Sequence, residues 1–306
     1  MSETSGARQE GVVIAAHRRH FEVLLANGET IECLQKGRAR QLACGDRVDV
    51  VRIAGGGAIE RIAPRGNLIY RSDAFHERLI AANVTQIIGV VAPGLALDEE
   101  LIHRWMIAAE VEHCRFVVAA NKRDLPEFGD LAKRLAFVAS LGYPVIELAA
   151  RDDVTPLAPW IAGEHTILVG QSGMGKSTII NAIAPHAATR TEEVSSALRA
   201  GRHTTTATTL YPLPALGDGT WIVDSPGMKA FGLAHVAPDA LERAFVELRP
   251  FIGKCRFRDC RHGREPGCAV QDAVARGEIK AFRLALLHQL MRESVSSREP
   301  GGVIAR

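Results

Sequence analysis

Long apolar runs are missing from this chain. No uninterrupted stretch approaches the roughly 20 residues of a membrane span, so no membrane partner is expected. The opening Met1-Ser2-Glu3-Thr4-Ser5-Gly6 has neither a basic n-region nor an apolar h-region. A secretory signal is therefore not expected there, and a short disordered lead-in is. Charge of one sign is not in excess either: the formal net charge is +2, which by itself selects no polyanionic partner. Cysteines number six, and in a chain read as cytoplasmic they argue against a disulfide framework. Cys33, Cys44 and Cys114 are scattered and are expected to be buried or inert thiols. What is present is ordinary for a globular protein: 306 residues, 47% hydrophobic and 24% charged, enough for two or three domains.

The stretch Gly170-Gln171-Ser172-Gly173-Met174-Gly175-Lys176-Ser177 fits G-x-x-x-x-G-K-[ST]. An apolar run, Thr166–Val169, precedes it, and a helical pattern from Thr178 follows. This is the strand–loop–helix context of a phosphate-binding loop. Its glycines let successive N–H groups turn inward onto phosphate oxygens, and the helix N-terminus adds its positive dipole end. Lys176 is expected on the β/γ-phosphates and the Ser177 hydroxyl on Mg²⁺.

The base is addressed elsewhere. Asn121-Lys122-Arg123-Asp124 follows the strand pattern Phe116–Ala119. The Asp124 carboxylate can accept two hydrogen bonds from guanine, N1–H and the 2-amino group, which adenine cannot offer. Asn121 would hold the loop, and the Lys122 stem would cover the ring. The matching base-closing segment, Glu147-Leu148-Ala149-Ala150, lacks the serine expected there. Asp224-Ser225-Pro226-Gly227 fits D-x-x-G, with Asp224 toward Mg²⁺ and the Gly227 N–H toward the γ-phosphate. Between them, Thr189–Thr209 is polar and threonine-rich and reads as a ligand-ordered switch. One hydroxyl of Thr204 to Thr206, assigned to Thr205, would complete the Mg²⁺ shell. The residue after D-x-x-G is Met228, which cannot orient water, so His203 is the candidate for that task. The candidate catalytic set is His203, Thr205 and Lys176.

Cys255-x₄-Cys260-x-His262-x₅-Cys268 supplies three thiolates and an imidazole. That donor set suits one structural, tetrahedral Zn²⁺. Arg249, Lys254, Arg256, Arg258, Arg261 and Arg264 surround it against the single acid Asp259. A solvated surface and a nucleic-acid contact both remain open for this run.

Around these sites, five short strand patterns fill Gly11 to Ile62, with Asn27-Gly28 as a type I′ hairpin marker. They predict a small barrel of the OB type, used on RNA or as a plain structural module. Pro64–Asn67 reads as a linker. Beyond Leu68, strands alternate with helices, which predicts a mostly parallel sheet covered on both faces. After Gly232 the chain reads as helical, with Ile279, Phe282, Leu286 and Leu290 as one stripe. The expected fold is multidomain. Residues 1–65 form an OB-type RNA-binding barrel, 66–232 an α/β P-loop GTPase domain, and 233–306 a helical zinc-binding module.

The motif order is unusual, because N-K-x-D precedes the phosphate loop. With that order, and with Gly201–Thr206 and Cys255–Val270, the chain resembles the RsgA/YjeQ family of circularly permuted GTPases dependent on the small ribosomal subunit. The resemblance covers nearly the whole chain. It implies GTP hydrolysis to GDP stimulated by that subunit, a role in its late maturation, contact with its rRNA, and all four zinc ligands. Nucleotide contacts are then expected from Asn121 to Asp124, from Gly170 to Thr178, and from Asp224 and Gly227. A cytoplasmic monomer is expected. Two rivals stay open: a nucleotide-gated RNA-binding regulator with incidental hydrolysis, and a P-loop ATPase or kinase.

Overall fold

The computed structural model describes residues 8–17, 20–35, 42–73, 76–94, 97–185, 208–224 and 233–296. His203, Thr205, Gly227 and Met228 lie outside the described residues. The described chain falls in two compact units. One is drawn from Met1–Trp105 and Cys114–Phe231, the other from Met106–His113 and Gly232–Arg306.

The first unit begins with β1 (Arg8–Ala16), β2 (His20–Leu25), β3 (Thr30–Gln35), β4 (Arg47–Ile53) and β5 (Gly56–Ile62). They pair in the order β1-β2-β3-β5-β4, and β4 returns to β1, so a closed five-stranded barrel of the OB type is found. Alternate residues point inward, as the period of two demands. Val13, Phe21, Val23, Ile31, Cys33, Val50 and Ile59 fill the interior. Cys33, Cys44 and Cys114 are all buried.

The Asn27-Gly28 turn differs from the expectation. Asn27 is not among the residues with positive φ, whereas Gly28 has φ 85°. Gly28 N donates to Leu25 O at 2.9 Å, and Leu25 N to Glu29 O at 2.8 Å. The loop is thus three residues long, a type I turn closed by a left-handed glycine. The Asn27 side-chain oxygen takes the Glu29 N–H at 3.0 Å instead of turning its own backbone.

Pro64–Asn67 is not a loose linker. Arg65 forks onto the fully buried Asp46, Nε to Oδ1 at 2.6 Å and Nη2 to Oδ2 at 2.7 Å. Asn67 clasps the Val84 backbone from both sides, donating at 2.7 Å and accepting at 2.9 Å. A hairpin that the sequence pattern does not predict then follows, β6 (Leu68–Asp73) with β7 (His76–Ala82).

The nucleotide sheet is built from β8 (Gln86–Val91), β9 (Arg115–Ala120), β10 (Val145–Glu147), β11 (His165–Val169), β12 (Thr209–Pro212) and β13 (Trp221–Asp224). Its order is β10-β9-β8-β11-β13-β12, parallel except for β12. Every residue of β8 is buried, the continuous apolar reading of a strand covered on both faces. Helix α1 (Glu99–Val111) starts at Asp98, whose carboxylate accepts the Glu100 N–H at 3.1 Å. Helix α2 (Phe128–Ser140) buries Phe128, Leu131, Leu135 and Val138. At the barrel side, Ala15 of β1 pairs with Thr209 of β12. Cys44 Sγ donates to Thr208 O at 3.1 Å. Barrel and nucleotide sheet thereby form one eleven-stranded ladder.

The second unit is helical. Its main elements are Pro238–Ala244, Ala269–Ala275 and Ala281–Ser296, with a 3₁₀ stretch at Val246–Phe251. Ile279, Leu286 and Leu290 are buried as expected, but Phe282 is 48% exposed. Its neighbour Arg283 is fully buried instead, Nη2 bonded to Glu247 Oε2 at 3.3 Å. The Arg283 guanidinium lies 4.4 Å from the Phe245 ring centroid, which offers a negative π face to the cation. At this one position the inward place passes from Phe282 to Arg283, which has its partner inside.

Candidate nucleotide cleft and metal centre

Strands β9, β11 and β13 run parallel, so their carboxyl ends bring three motifs to one edge of the sheet. There, a cleft of about 740 Å³ is lined by Asn121, Lys122 and Asp124 from the β9 loop. Gly170, Ser172, Gly173, Gly175, Lys176, Ser177 and Thr178 line it from the phosphate loop, and Asp224 from the end of β13. Helix α3 (Lys176–Ile183) opens directly from Gly175, so its N-terminal N–H groups face the cleft.

Asn121 ties these parts together. It is 2% exposed. Its Nδ2 donates to Met174 O at 2.9 Å, and its Oδ1 accepts from Ala150 N at 2.9 Å. Its own N–H donates to Val91 O at 2.8 Å. One side chain therefore holds the phosphate loop and the Ala149-Ala150 loop against the N-K-x-D turn. The missing serine at Ala149 leaves this clasp intact, because the bond uses backbone. Gly175 has φ 102°, and a Cβ there would stand 2.1 Å from Asn121 Nδ2. Glycine is needed at that position for both reasons. Lys122 holds φ 61°, a left-handed conformation uncommon for its type, fixed by Arg123 N to Leu148 O at 3.0 Å and Leu125 N to Lys122 O at 3.0 Å.

Among the described residues, three expected nucleotide residues do not line the cleft. Met174 is 1% exposed, and its Sδ accepts the Ala92 N–H at 3.1 Å. The Gln171 side chain accepts from Asp98 N at 3.4 Å. Arg123 takes part through its backbone bond to Leu148. Conversely, Leu125, Ala150 and Arg151 line the cleft and carry no motif signature, although Arg151 directly follows the base-closing segment. Lys176 Nζ donates to Gln171 O at 3.0 Å and to Gly170 O. Burial lowers the pKa of Lys176 and raises that of Asp224, and the charge of each opposes the shift of the other.

The metal motif closes in the second unit. The ligand atoms of Cys255, Cys260, His262 and Cys268 lie within 4.8 Å of one another. Bond lengths of about 2.3 Å to sulfur and about 2.05 Å to nitrogen give a tetrahedron with S–S edges of about 3.8 Å and N–S edges of about 3.6 Å. Cys255 and Cys268 Sγ are 3.8 Å apart, and His262 Nδ1 stands 3.6, 3.6 and 3.3 Å from the three sulfurs. The donor set and its edges fit zinc. His262 Nε2 lies 3.0 Å from Glu242 Oε1, the carboxylate–histidine arrangement that fixes a ligand's tautomer. Glu242 pushes the His262 pKa up to about 9 in the metal-free ring, and burial pushes Cys260 up to about 12. Gln271 braces the turn, its Nε2 donating to His262 O at 2.6 Å. Four protein donors leave no open position, so such a site is structural.

A phosphate loop downstream of N-K-x-D, both on one parallel sheet behind a five-stranded barrel, defines a circularly permuted P-loop GTPase. The same architecture is found in YloQ, described as a circularly permuted GTPase (TM-score 0.69, 23% identity, covering 97% of this chain and 99% of that one). It is also found in YjeQ from Thermotoga maritima (TM-score 0.72, 28% identity, 95% and 100%). The RsgA GTPase family model matches residues 62–234. A protein named Small ribosomal subunit biogenesis GTPase RsgA from Nitrosospira multiformis is 44% identical over 292 residues, covering 95% of this chain and 92% of its own. One of the same name from Burkholderia pseudomallei is 47% identical over 296 residues, covering 94% and 93%. The chain belongs to the RsgA GTPase family, and is an enzyme that hydrolyses GTP.

Proposed function

We propose that this chain binds the small ribosomal subunit and assists its late maturation, hydrolysing GTP to GDP and phosphate with the subunit as stimulator. The observation that carries the enzymatic part is the Asn121 clasp, which joins the guanine motif to the phosphate loop around one cleft. The shared name of the relatives supports the ribosomal part.

In this reading Asp124 selects guanine, Lys122 covers the base, and Gly170 to Thr178 cradle the phosphates. Ser177 and Asp224 are hard oxygen donors on the same cleft, which suits Mg²⁺. With Thr205 they would hold it, and the ion would neutralise charge on the β- and γ-phosphate oxygens. Lys176 adds a fixed cation there, Gly227 is assigned to the γ-phosphate, and His203 is assigned the attacking water. The four ligands of the second unit hold one structural Zn²⁺. With the metal held there, the loop would present Arg256, Arg258, Arg261 and Arg264 to rRNA phosphates. The working division is 1–65 for the barrel, 66–232 for the GTPase domain and 233–306 for the zinc module. A ribosomal partner is met in the cytoplasm, where we assign the chain, as a monomer. No helix among the described residues is long and apolar enough to cross a membrane.

The test is GTP turnover with purified small subunits, with large subunits and with neither. Stimulation by small subunits alone is expected. Equal turnover in all three reactions overturns the ribosomal assignment.

A further inference from the structure

Arg151 stands apart among the charged residues of the cleft. It lines the cavity, it is exposed, and among the described residues no carboxylate or carbonyl pairs with it. The acid two residues on turns elsewhere: the Asp153 carboxylate accepts the Thr155 N–H at 2.8 Å. An unpaired guanidinium on a cleft wall is available to a ligand.

Its position says which part of the ligand. Ala150 is fastened to Asn121 at 2.9 Å, so Arg151 leaves its loop directly beside the N-K-x-D turn. Lys122 leaves that turn one residue beyond Asn121. The two cationic side chains therefore enter from two adjoining loops at the end of the cleft that carries Asp124. Leu125 and Ala150 make the wall there apolar. An apolar wall, one carboxylate and two long cationic stems suit a flat heteroaromatic ring better than a phosphate. A guanidinium is planar and weakly hydrated, and it stacks on aromatic faces.

We propose that Arg151 is a guanine-stacking residue, its guanidinium plane lying on the base of bound GTP or GDP. The proposal rests on the guanine-nucleotide reading of the cleft. Stacking is indifferent to the phosphate count, whereas a phosphate-binding cation gains with each added charge.

The experiment measures the affinities of GMP, GDP, GTP and ATP for the full chain and for Arg151→Ala, Arg151→Lys and Arg151→Tyr. Arg151→Ala is expected to weaken GMP, GDP and GTP by the same factor, about 5- to 10-fold. Arg151→Tyr should restore most of that loss without a charge, and the preference for GTP over ATP should persist in every variant. A loss that grows from GMP to GTP and is rescued by Arg151→Lys but not by Arg151→Tyr overturns stacking. So does unchanged affinity in Arg151→Ala. A wild-type chain without preference for GTP over ATP would instead overturn the guanine reading itself.

Discussion

The side-chain amide of Asn121 donates to the carbonyl oxygen of Met174 at 2.9 Å, across 53 residues of sequence. The base-reading turn and the phosphate-reading loop are thus one rigid object before any nucleotide arrives. Preorganisation of this kind reduces the ordering cost of binding.

Replacing Asn121 by Ala is expected to damage both binding and stability. It leaves Met174 O and Ala150 N buried without partners, at about 1–3 kcal/mol for each. Urea unfolding of the nucleotide-free chain should show the loss. GTP and GDP affinities should fall together, since both use the same preformed loops.

Asp124→Ala should act on selectivity. The guanine N1–H and 2-amino donors would lose their carboxylate, and GTP affinity should drop by about 100-fold or more while ATP binding stays near its original weak level. Competition of the two nucleotides against a fluorescent GDP analogue reads this ratio. A retained GTP preference would show that Asp124 is not the base reader.

At the metal centre, the contact to vary is Glu242, not a ligand. Glu242→Gln keeps the shape but removes the charge opposite His262 Nε2, and metal affinity should fall by about 10- to 100-fold. Competition with a chromogenic chelator measures it. Zinc must displace protons from an imidazole whose pKa Glu242 raises to about 9 and from the Cys260 thiol, which burial pushes up to about 12. Affinity should therefore climb with pH through the His262 value and toward that of Cys260, and weaken on acidification.

The Arg283–Glu247 pair should be sensitive to breakage and tolerant of joint replacement. Glu247→Ala leaves a buried guanidinium without its carboxylate, which costs about 3–5 kcal/mol. Arg283→Met with Glu247→Leu should be much closer to wild type. Thermal unfolding of the two variants distinguishes them.

How far the sequence could be read depended on how local each signal was. The phosphate loop, Asn121–Asp124 and the cysteine–histidine cluster are contiguous stretches, and each was legible from spacing and chemistry. The barrel was legible because short β-branched runs are set apart by turn signals, and β2 and β3 alternate between core and surface. The hairpin β6–β7 was not, since its short charged strands resemble connecting chain. Phe282 and Arg283 exchange their expected places because a pattern of apolar residues cannot reveal that Glu247 waits inside. Arg151 carries no motif. Only folding sets it beside Asn121.

The ladder between Ala15 and Thr209 also bears on the order of folding. The barrel closes through strand pairings confined to residues 8–62, so it can form while later residues are still being synthesised. Its bond from Cys44 to Thr208 spans 164 positions and must wait for β12 to emerge and settle against β13. The barrel thus completes itself early and joins the nucleotide sheet last. Until then β12 presents a bare edge, so the interval before this final pairing is when the nascent chain is most open to strand-to-strand aggregation.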